Sequence, residues 1–198
     1  MATGDNMIDL DNIGLSRSYV IEEMTAETKL SDFFEKYVDI PNVEDLCRLC
    51  DNYGNSWECP PHSSDVSVCW KNHENIRLIA WKLNYSEQIA GKKVTMEQKN
   101  IIIDETLRKE KLNLKKKLIK LEQELNGVYL YGGRCDYCRQ CNRTINEPCR
   151  FPDKQRYSLE SIGCYVVDAA KDLLGYELLW VDDIFPEYLF IVTAVLYD

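Results

Sequence analysis

The sequence predicts an α+β fold in which a small, mainly antiparallel sheet is covered by two main helices, with cysteine-rich loops at one end. Two apolar runs, Asn75–Tyr85 and Tyr188–Tyr197, have the Ile, Leu, Val and aromatic content of strands. A stretch from Thr95 to about Leu125 repeats Leu and Ile at three- to four-residue spacing, which is typical of an amphipathic helix. The order of strand, long helix, cysteine-rich loop, helix and two strands favours a sandwich with the helices on one side of the sheet.

The first part of the chain is predicted to contain only short elements. Residues 1–17 are polar and are expected to form a flexible leader, so that residues 18–198 form a single cysteine-rich domain. Residues 18–24 are predicted to form a short strand. Ser31 is expected to cap a brief helix, because its hydroxyl can accept hydrogen bonds from the free amides of a first helical turn, and Asn42 is expected to cap a second one.

Signals at both ends delimit the long helix. Thr95 and Gln98 have the spacing of a capping box, which predicts the first turn. The pair Asn126-Gly127 predicts the end, since both residues tolerate the left-handed conformation that closes a helix. Residues 108–120 carry seven bases, for which we favour a solvated helix face over a surface that binds an acidic partner.

The C-terminal part is predicted to contain the second main helix and two strands. Ser158 is expected to cap this helix, which runs to Leu174 and ends at Gly175. Residues 176–181 are predicted to form a strand that precedes Tyr188–Tyr197. The latter run is apolar on both faces, as expected of a central strand.

The net charge of −9 is unevenly distributed along the chain. Residues 1–45 carry 11 acids and 3 bases, and residues 157–198 carry 8 acids and 1 base. The segment between them, 46–156, has a net charge of +6. An acidic chain with a basic, cysteine-bearing centre does not favour nucleic-acid binding, because nucleic-acid binders are usually basic overall.

Nine cysteines are many for a chain in which we predict no export signal. The first residues are acidic and lack both a basic start and an apolar run, and no stretch approaches the roughly 18 apolar residues of a membrane span. In a reducing cytoplasm, cysteines spaced as C-x2-C indicate metal or redox chemistry more often than structural disulfides. We therefore predict a cytoplasmic protein that does not bind membranes.

Four cysteines with the spacing C-x2-C-x2-C-x7-C form what we call the second cysteine group: Cys135, Cys138, Cys141 and Cys149. Two-residue gaps let successive thiolates turn toward one centre, as in zinc knuckles and iron–sulfur loops. Three thiols separated by two such gaps are the core of ferredoxin-type cluster loops, whereas structural zinc sites more often use two separated pairs. We therefore favour an iron–sulfur cluster, of the 4Fe–4S type, over zinc.

The charge around the second cysteine group is consistent with either metal. Six bases and three acids lie between residues 134 and 156; the bases are Arg134, Arg139, Arg143, Arg150, Lys154 and Arg156. Four thiolates make a zinc site or an oxidised 4Fe–4S cluster net negative, and burying that charge is costly unless cations lie close. The bases support a metal site without identifying the metal.

The first cysteine group, Cys47, Cys50 and Cys59, has C-x2-C-x8-C spacing and lies before Pro60-Pro61. Three thiols need a fourth ligand, for which the sequence offers four residues: Cys69, Cys164, His62, or Cys149 shared between the groups. Cys69 has apolar neighbours and Cys164 lies on the predicted second helix, and each is more simply explained as a small buried hydrophobic residue. The two histidines are more simply explained as structural or exposed.

The two groups together resemble a known family. The pattern C-x2-C-x2-YG-x2-W-x-CPP at residues 47–61, and GG-x-C-x2-C-x2-C followed by PCR-x-P at residues 132–152, resemble the prokaryotic "predicted metal-binding protein" family, a domain of unknown function. The resemblance covers roughly residues 40–198 and implies metal binding by all seven cysteines of the two groups. It implies no established reaction. The family often has a further cysteine before a helix glycine, where this chain has Ile162, and Cys164 follows Gly163 instead.

Three functions follow from these patterns. The first is an iron–sulfur protein with one or two 4Fe–4S clusters, which serves electron transfer or another cluster-dependent role with a protein redox partner. The second is a structural zinc protein that acts as an interaction module. The third is an enzyme with an open metal position at Cys47, Cys50 and Cys59, which we disfavour because no acid or base beside these thiols is a credible catalytic residue.

Overall fold

The computed structural model describes residues 6–198 and shows an α+β fold around one four-stranded sheet. Every pairing is antiparallel, and the strand order is β1-β2-β4-β3. The strands are β1 Tyr19–Lys29, β2 Asn75–Tyr85, β3 Val128–Leu130 and β4 Tyr188–Tyr197. The predicted bounds of β2 and β4 are confirmed, and β4 has a neighbour on each side, as expected for a central strand.

Besides short 3₁₀ turns, four helical segments lie between the strands within residues 6–198. The third is long and contains a π-helical turn, Asp104–Arg108, between two α-helical parts. The α-helices are α1 Leu30–Tyr37, α2 Ile40–Cys47, α3 Met96–Ile103, α4 Lys109–Glu124 and α5 Val166–Leu174. The capping box is confirmed, because the Thr95 hydroxyl accepts from the Gln98 amide at 3.2 Å and the Gln98 side chain accepts from the Thr95 amide at 3.0 Å.

Helices cover both faces of the sheet, so the prediction of helices on one side was wrong. On β4, Val192 and Ala194 lie in one hydrophobic core with α1 and α5. Ile191 and Val195, which point the opposite way because side chains alternate along a strand, lie in a second core with α3 and α4. A strand that is apolar on both faces must be covered on both faces, and the sheet therefore forms the middle of three layers.

The N-terminal helices begin differently from the predictions. β1 is longer than expected and runs directly into α1, so Ser31 lies inside the first turn and does not cap it. The cap of α2 is Asp39, whose carboxylate accepts from the Asn42 amide at 3.2 Å, and Asn42 is therefore the capped residue. Proline in the first turn, Pro41, favours this start.

The C-terminal predictions needed two corrections. Ser158 does not start a helix, because the chain forms a short 3₁₀ turn, Glu160–Ile162, and then leaves it through Gly163, whose φ is +96°. α5 begins only at Val166. Residues 176–181 form no strand, and the fourth strand of the sheet is instead β3, whose three residues are too few to give a recognisable pattern.

The predicted leader lies partly outside the described residues, since residues 1–5 are not described. In residues 6–17, Ile8 is buried in the core beside α3, and its amide donates to the carbonyl oxygen of Lys93 at 3.0 Å. Across the described part of the chain, no helix has the length and apolar character needed to cross a membrane.

Candidate metal centres

The first cysteine group lies where α2 ends. Cys47 is the last residue of α2, and Cys50 and Cys59 lie in the loop that follows. Their side chains line a cavity of about 550 Å³, which we call the first cavity, and Cys164 lines it as well. Four thiols from three separate chain segments therefore surround one space.

Close backbone packing brings Cys164 under α2. The Asp39 amide donates to the Gly163 carbonyl oxygen at 2.8 Å, and the Tyr165 amide donates to the Tyr37 carbonyl oxygen at 2.8 Å. A Cβ atom on Gly163 would lie 2.6 Å from the Cα of Ile40, so only glycine permits this approach. The start of α2 and the segment around Gly163 are therefore held together by residues that lie outside both cysteine patterns.

Only one of the four residues proposed to complete the first group lines the first cavity in the described structure, and it is Cys164. Cys69 lines a different cavity with His73. His62 has its Nε2 2.8 Å from the carbonyl oxygen of Ser161 and packs edge-on against a tyrosine ring. Cys149 lies in the second group's cavity.

Burial makes two thiols of the first group weak acids. Together with smaller effects of neighbouring acidic groups, it raises the pKa of Cys47 to about 11 and the pKa of Cys59 to about 12. Burial also raises the pKa of Cys164 well above its ordinary value. Because metals bind thiolates, loading this site would release protons.

The second cysteine group lies in the loop between β3 and the turn before α5. All four thiols line a cavity of about 330 Å³, the second cavity. The base of the loop is closed by backbone hydrogen bonds from Tyr131 to Tyr157 and from Leu159 to Tyr131, at 2.8 and 2.9 Å. At the start of the loop, a Cβ on Gly132 would lie 2.3 Å from the carbonyl oxygen of Val192, so this glycine allows a close approach to β4.

The loops that carry the two groups are bound to each other. The Arg143 guanidinium donates to the carbonyl oxygens of Ser56 at 2.7 Å, Cys59 at 2.5 Å and Pro61 at 2.5 Å. Trp57 lies under this guanidinium and donates from its indole to the carbonyl oxygen of Glu147 at 3.1 Å. The second loop therefore holds the backbone of the first in place.

The two cavities are neighbours, because Asn52 and Arg134 line both. The Asn52 amide group lies 3.4 Å from the sulfur of Cys50, and in the second loop the Phe151 amide lies 3.4 Å from the sulfur of Cys149. Hydrogen bonds to sulfur stabilise the thiolate form that binds metal and tune the properties of the bound metal.

The six bases around the second group have different roles in the structure. Three of them line the second cavity: Arg134, Arg139 and Arg150. Arg143 binds the first loop, as described above, and Arg156 forms a two-pronged ion pair with Glu122 at 2.7 and 2.9 Å. Lys154 lies over the rings of Tyr137 and Phe151.

The sequence did not reveal two charged residues beside the second cavity. Lys115 on α4 is 2 % exposed and Glu58 is 1 % exposed, and their Nζ and Oε1 atoms lie 3.8 Å apart. The solvated-face interpretation of residues 108–120 is therefore wrong for Lys115, although Lys116 and Lys120 are exposed. The one available signal was its position between Leu114 and Leu118, which both face the core.

The donor set fits a metal that prefers sulfur, although the side chains do not converge on one point. All nine cysteines are free thiols, and within residues 6–198 no three Cys, His, Asp or Glu side chains are grouped as a metal site. Thiolate ligands select zinc, Cu(I) and iron–sulfur clusters over hard cations such as magnesium. Binding at either cavity would require the thiols to rotate toward a common centre.

The chain was compared with known proteins. A family model described as "Predicted metal-binding protein (DUF2284)" matches residues 34–196, a range that contains all nine cysteines. No match was found among curated proteins or among solved structures.

Proposed function

Because this chain belongs to the predicted metal-binding protein family, we propose that it is a cytoplasmic iron–sulfur protein with two adjacent cluster sites that serves electron transfer with a protein partner. The observation that carries the proposal is that two neighbouring cavities are each lined by four thiols. The second site would be held by the second cysteine group. The first would be held by the first cysteine group together with Cys164.

The spacing of the second cysteine group supports a cluster over a single zinc ion. Structural zinc sites more often use two separated C-x2-C pairs. The C-x2-C-x2-C run of this chain is typical of cluster loops instead.

The chain's own residues would supply what a buried, negatively charged cluster needs. A bound 4Fe–4S cluster supplies one-electron chemistry, with a potential set by net charge, hydrogen bonds to sulfur and solvent exposure. Asn52 and the Phe151 amide provide the hydrogen bonds to sulfur. Arg134 lines both cavities, and its positive charge would lower the electrostatic cost of two negative sites lying side by side.

Metal analysis of anaerobically purified protein tests the proposal. Two 4Fe–4S clusters require about eight iron and eight sulfide ions per chain and give the protein a brown colour. Cys47→Ser and Cys141→Ser should each remove about half of the iron, because each removes one ligand of one site. Cys69→Ser is the matched control and should retain all of it, since Cys69 lies in another cavity.

The same measurement separates the alternatives. Colourless wild-type protein with zinc in place of iron would refute the iron–sulfur proposal and support a structural zinc module. Cys164→Ser should behave as Cys47→Ser does if Cys164 completes the first site. If the iron content of Cys164→Ser equals that of Cys69→Ser, Cys164 is excluded as a ligand. The three thiols of the first cysteine group would remain as proposed ligands.

A further inference from the structure

The buried pair of Lys115 and Glu58 is not explained by the packing around it. The Lys115 ammonium and both Glu58 carboxylate oxygens have no hydrogen-bond partner among the described residues. A buried charge without hydrogen bonds is costly, and a pair at 3.8 Å recovers only part of that cost. Buried ionisable groups of this kind are found more often at functional sites than elsewhere.

Burial lowers the pKa of Lys115, whereas the neighbouring Glu58 carboxylate and two aromatic ring faces favour its charged form. Its Nζ lies 4.0 Å from the centre of the Tyr131 ring and 3.8 Å from the centre of the Tyr137 ring, and the faces of aromatic rings attract cations. One helical turn earlier, Lys111 points the same way and pairs with Asp136 at 2.8 Å. Lys111 is therefore already neutralised by a carboxylate of the second loop, and Lys115 is the deeper of the two cations.

The pair lies between the two cysteine groups. Glu58 immediately precedes Cys59 of the first group and lines the second cavity beside Cys135. Lys115 lies over the ring of Tyr137, which stands between Cys135 and Cys138 in the chain. A charge at a buried position acts through a low effective dielectric, whereas the charges of the more exposed arginines around the second cavity are screened by water and salt.

We propose that Lys115 is a positioning residue that acts on the second centre through charge: its buried ammonium offsets the negative charge that four thiolates bring to the site, and Glu58 limits this effect. The inference rests on the proposed metal function, and it holds for iron or zinc because both leave a thiolate site net negative. Removing the positive charge should therefore weaken metal retention and lower the potential of a redox-active centre. Removing the negative charge should do neither.

The test uses the full chain with Cys50→Ser, which leaves the four thiols of the second group intact. Lys115→Met removes the charge while keeping an unbranched side chain, and Lys116→Met is the exposed control on the same helix. Lys115→Arg keeps the charge, and Glu58→Gln removes the opposite one. Each variant is measured for metal per chain during titration with a chelator, and for the midpoint potential if the metal is iron.

We expect Lys115→Met to lose half of its metal at a tenfold lower chelator concentration than Lys116→Met. If the centre is redox-active, its midpoint potential should be about 59 mV lower, which corresponds to a tenfold change in the equilibrium constant for transfer of one electron. Lys115→Arg should retain nearly as much metal as the Cys50→Ser background. Glu58→Gln should retain at least as much metal as that background. Equal values for Lys115→Met and Lys116→Met would overturn the proposal. So would losses of the same size in Lys115→Met and Glu58→Gln, because those indicate a purely structural pair. Absence of metal from the wild type would instead overturn the proposed function itself.

Discussion

Replacing Arg143 by methionine should loosen the loop that carries Cys59, although Arg143 lies in the other cysteine loop. Its guanidinium donates three hydrogen bonds to backbone carbonyl oxygens of residues 56, 59 and 61, at 2.5 to 2.7 Å. Methionine fills similar space over the Trp57 ring but cannot donate. The variant therefore removes the hydrogen bonds between the loops and leaves most of the packing.

The magnitude follows from these bonds. A hydrogen bond from a charged donor contributes about 1.5–3 kcal/mol when buried, and a half-exposed arginine should give about 1 kcal/mol for each. Three bonds then stabilise the closed arrangement of the loops by about 3 kcal/mol. If the loop opens locally, this difference corresponds to amide exchange that is faster on the order of 100-fold.

Hydrogen exchange of the metal-free protein measures this directly. The informative amides are those of Gly54 and Cys59, which donate within the first loop to Pro60 at 2.8 Å and to Ser56 at 3.1 Å. Arg139→Met is the control, because it removes the same charge from the second loop without removing a bond to the first. Exchange at these amides that differs by less than about threefold between the two variants would refute the reasoning. Arg143→Lys should recover little, since a lysine cannot reproduce the planar fork.

Two further outcomes are expected. Gly163→Ala should destabilise the protein by about 3 kcal/mol in chemical denaturation, because the added Cβ would meet Ile40 at 2.6 Å and the φ of this residue is +96°. The control Gly175→Ala, with φ +79° and open space around it, should cost only about 1 kcal/mol. Equal costs for the two variants would contradict the argument that Gly163 is needed for a close approach. In the metal-free protein, Cys47 and Cys59 should contribute stability that is fully present below about pH 8.5, where unfolded thiols are protonated. This contribution should be lost as the pH rises toward 11 to 12, because burial raises the pKa of Cys47 to about 11 and the pKa of Cys59 to about 12. The midpoint of urea unfolding against pH measures this loss, and a double Cys47→Ala, Cys59→Ala variant should show a smaller one; equal slopes would show that other groups cause it.

Elements with a strong local signal were predictable from the sequence. The bounds of β2 and β4 are those of two long apolar runs, and the capping box at Thr95 closes through atoms only three residues apart. In such elements the side chains that decide the structure are neighbours in the chain. The long helix shows the limit of prediction from local signals. Its apolar repeat is interrupted near Glu110, and the structure places a π-helical turn at Asp104–Arg108, which shifts the following residues so that Leu114 and Leu118 face the core.

The wrong predictions share a physical cause, which is that distant segments decided them. Ser158 was a plausible helix cap, but its hydroxyl bonds within a short turn that ends where Gly163 meets Ile40 of α2. β3 has three residues and exists because β4 offers an edge to pair with. The helices lie on both faces because successive connections between the strands cross opposite faces of the sheet. No local sequence pattern indicates which face a connection will cross.

The same distinction applies to the candidate metal centres. By itself, the sequence determined that seven cysteines form two groups, because ligand spacing is a local property of a loop. Only the tertiary structure decided that Cys164, and not Cys69, lies with the first group, and that the two cavities share Asn52 and Arg134. It also decided that Lys115 is buried beside Glu58 while its neighbour Lys116 is exposed to solvent. Burial and the meeting of distant segments arise from packing, and packing is fixed by contacts that a one-dimensional pattern does not contain.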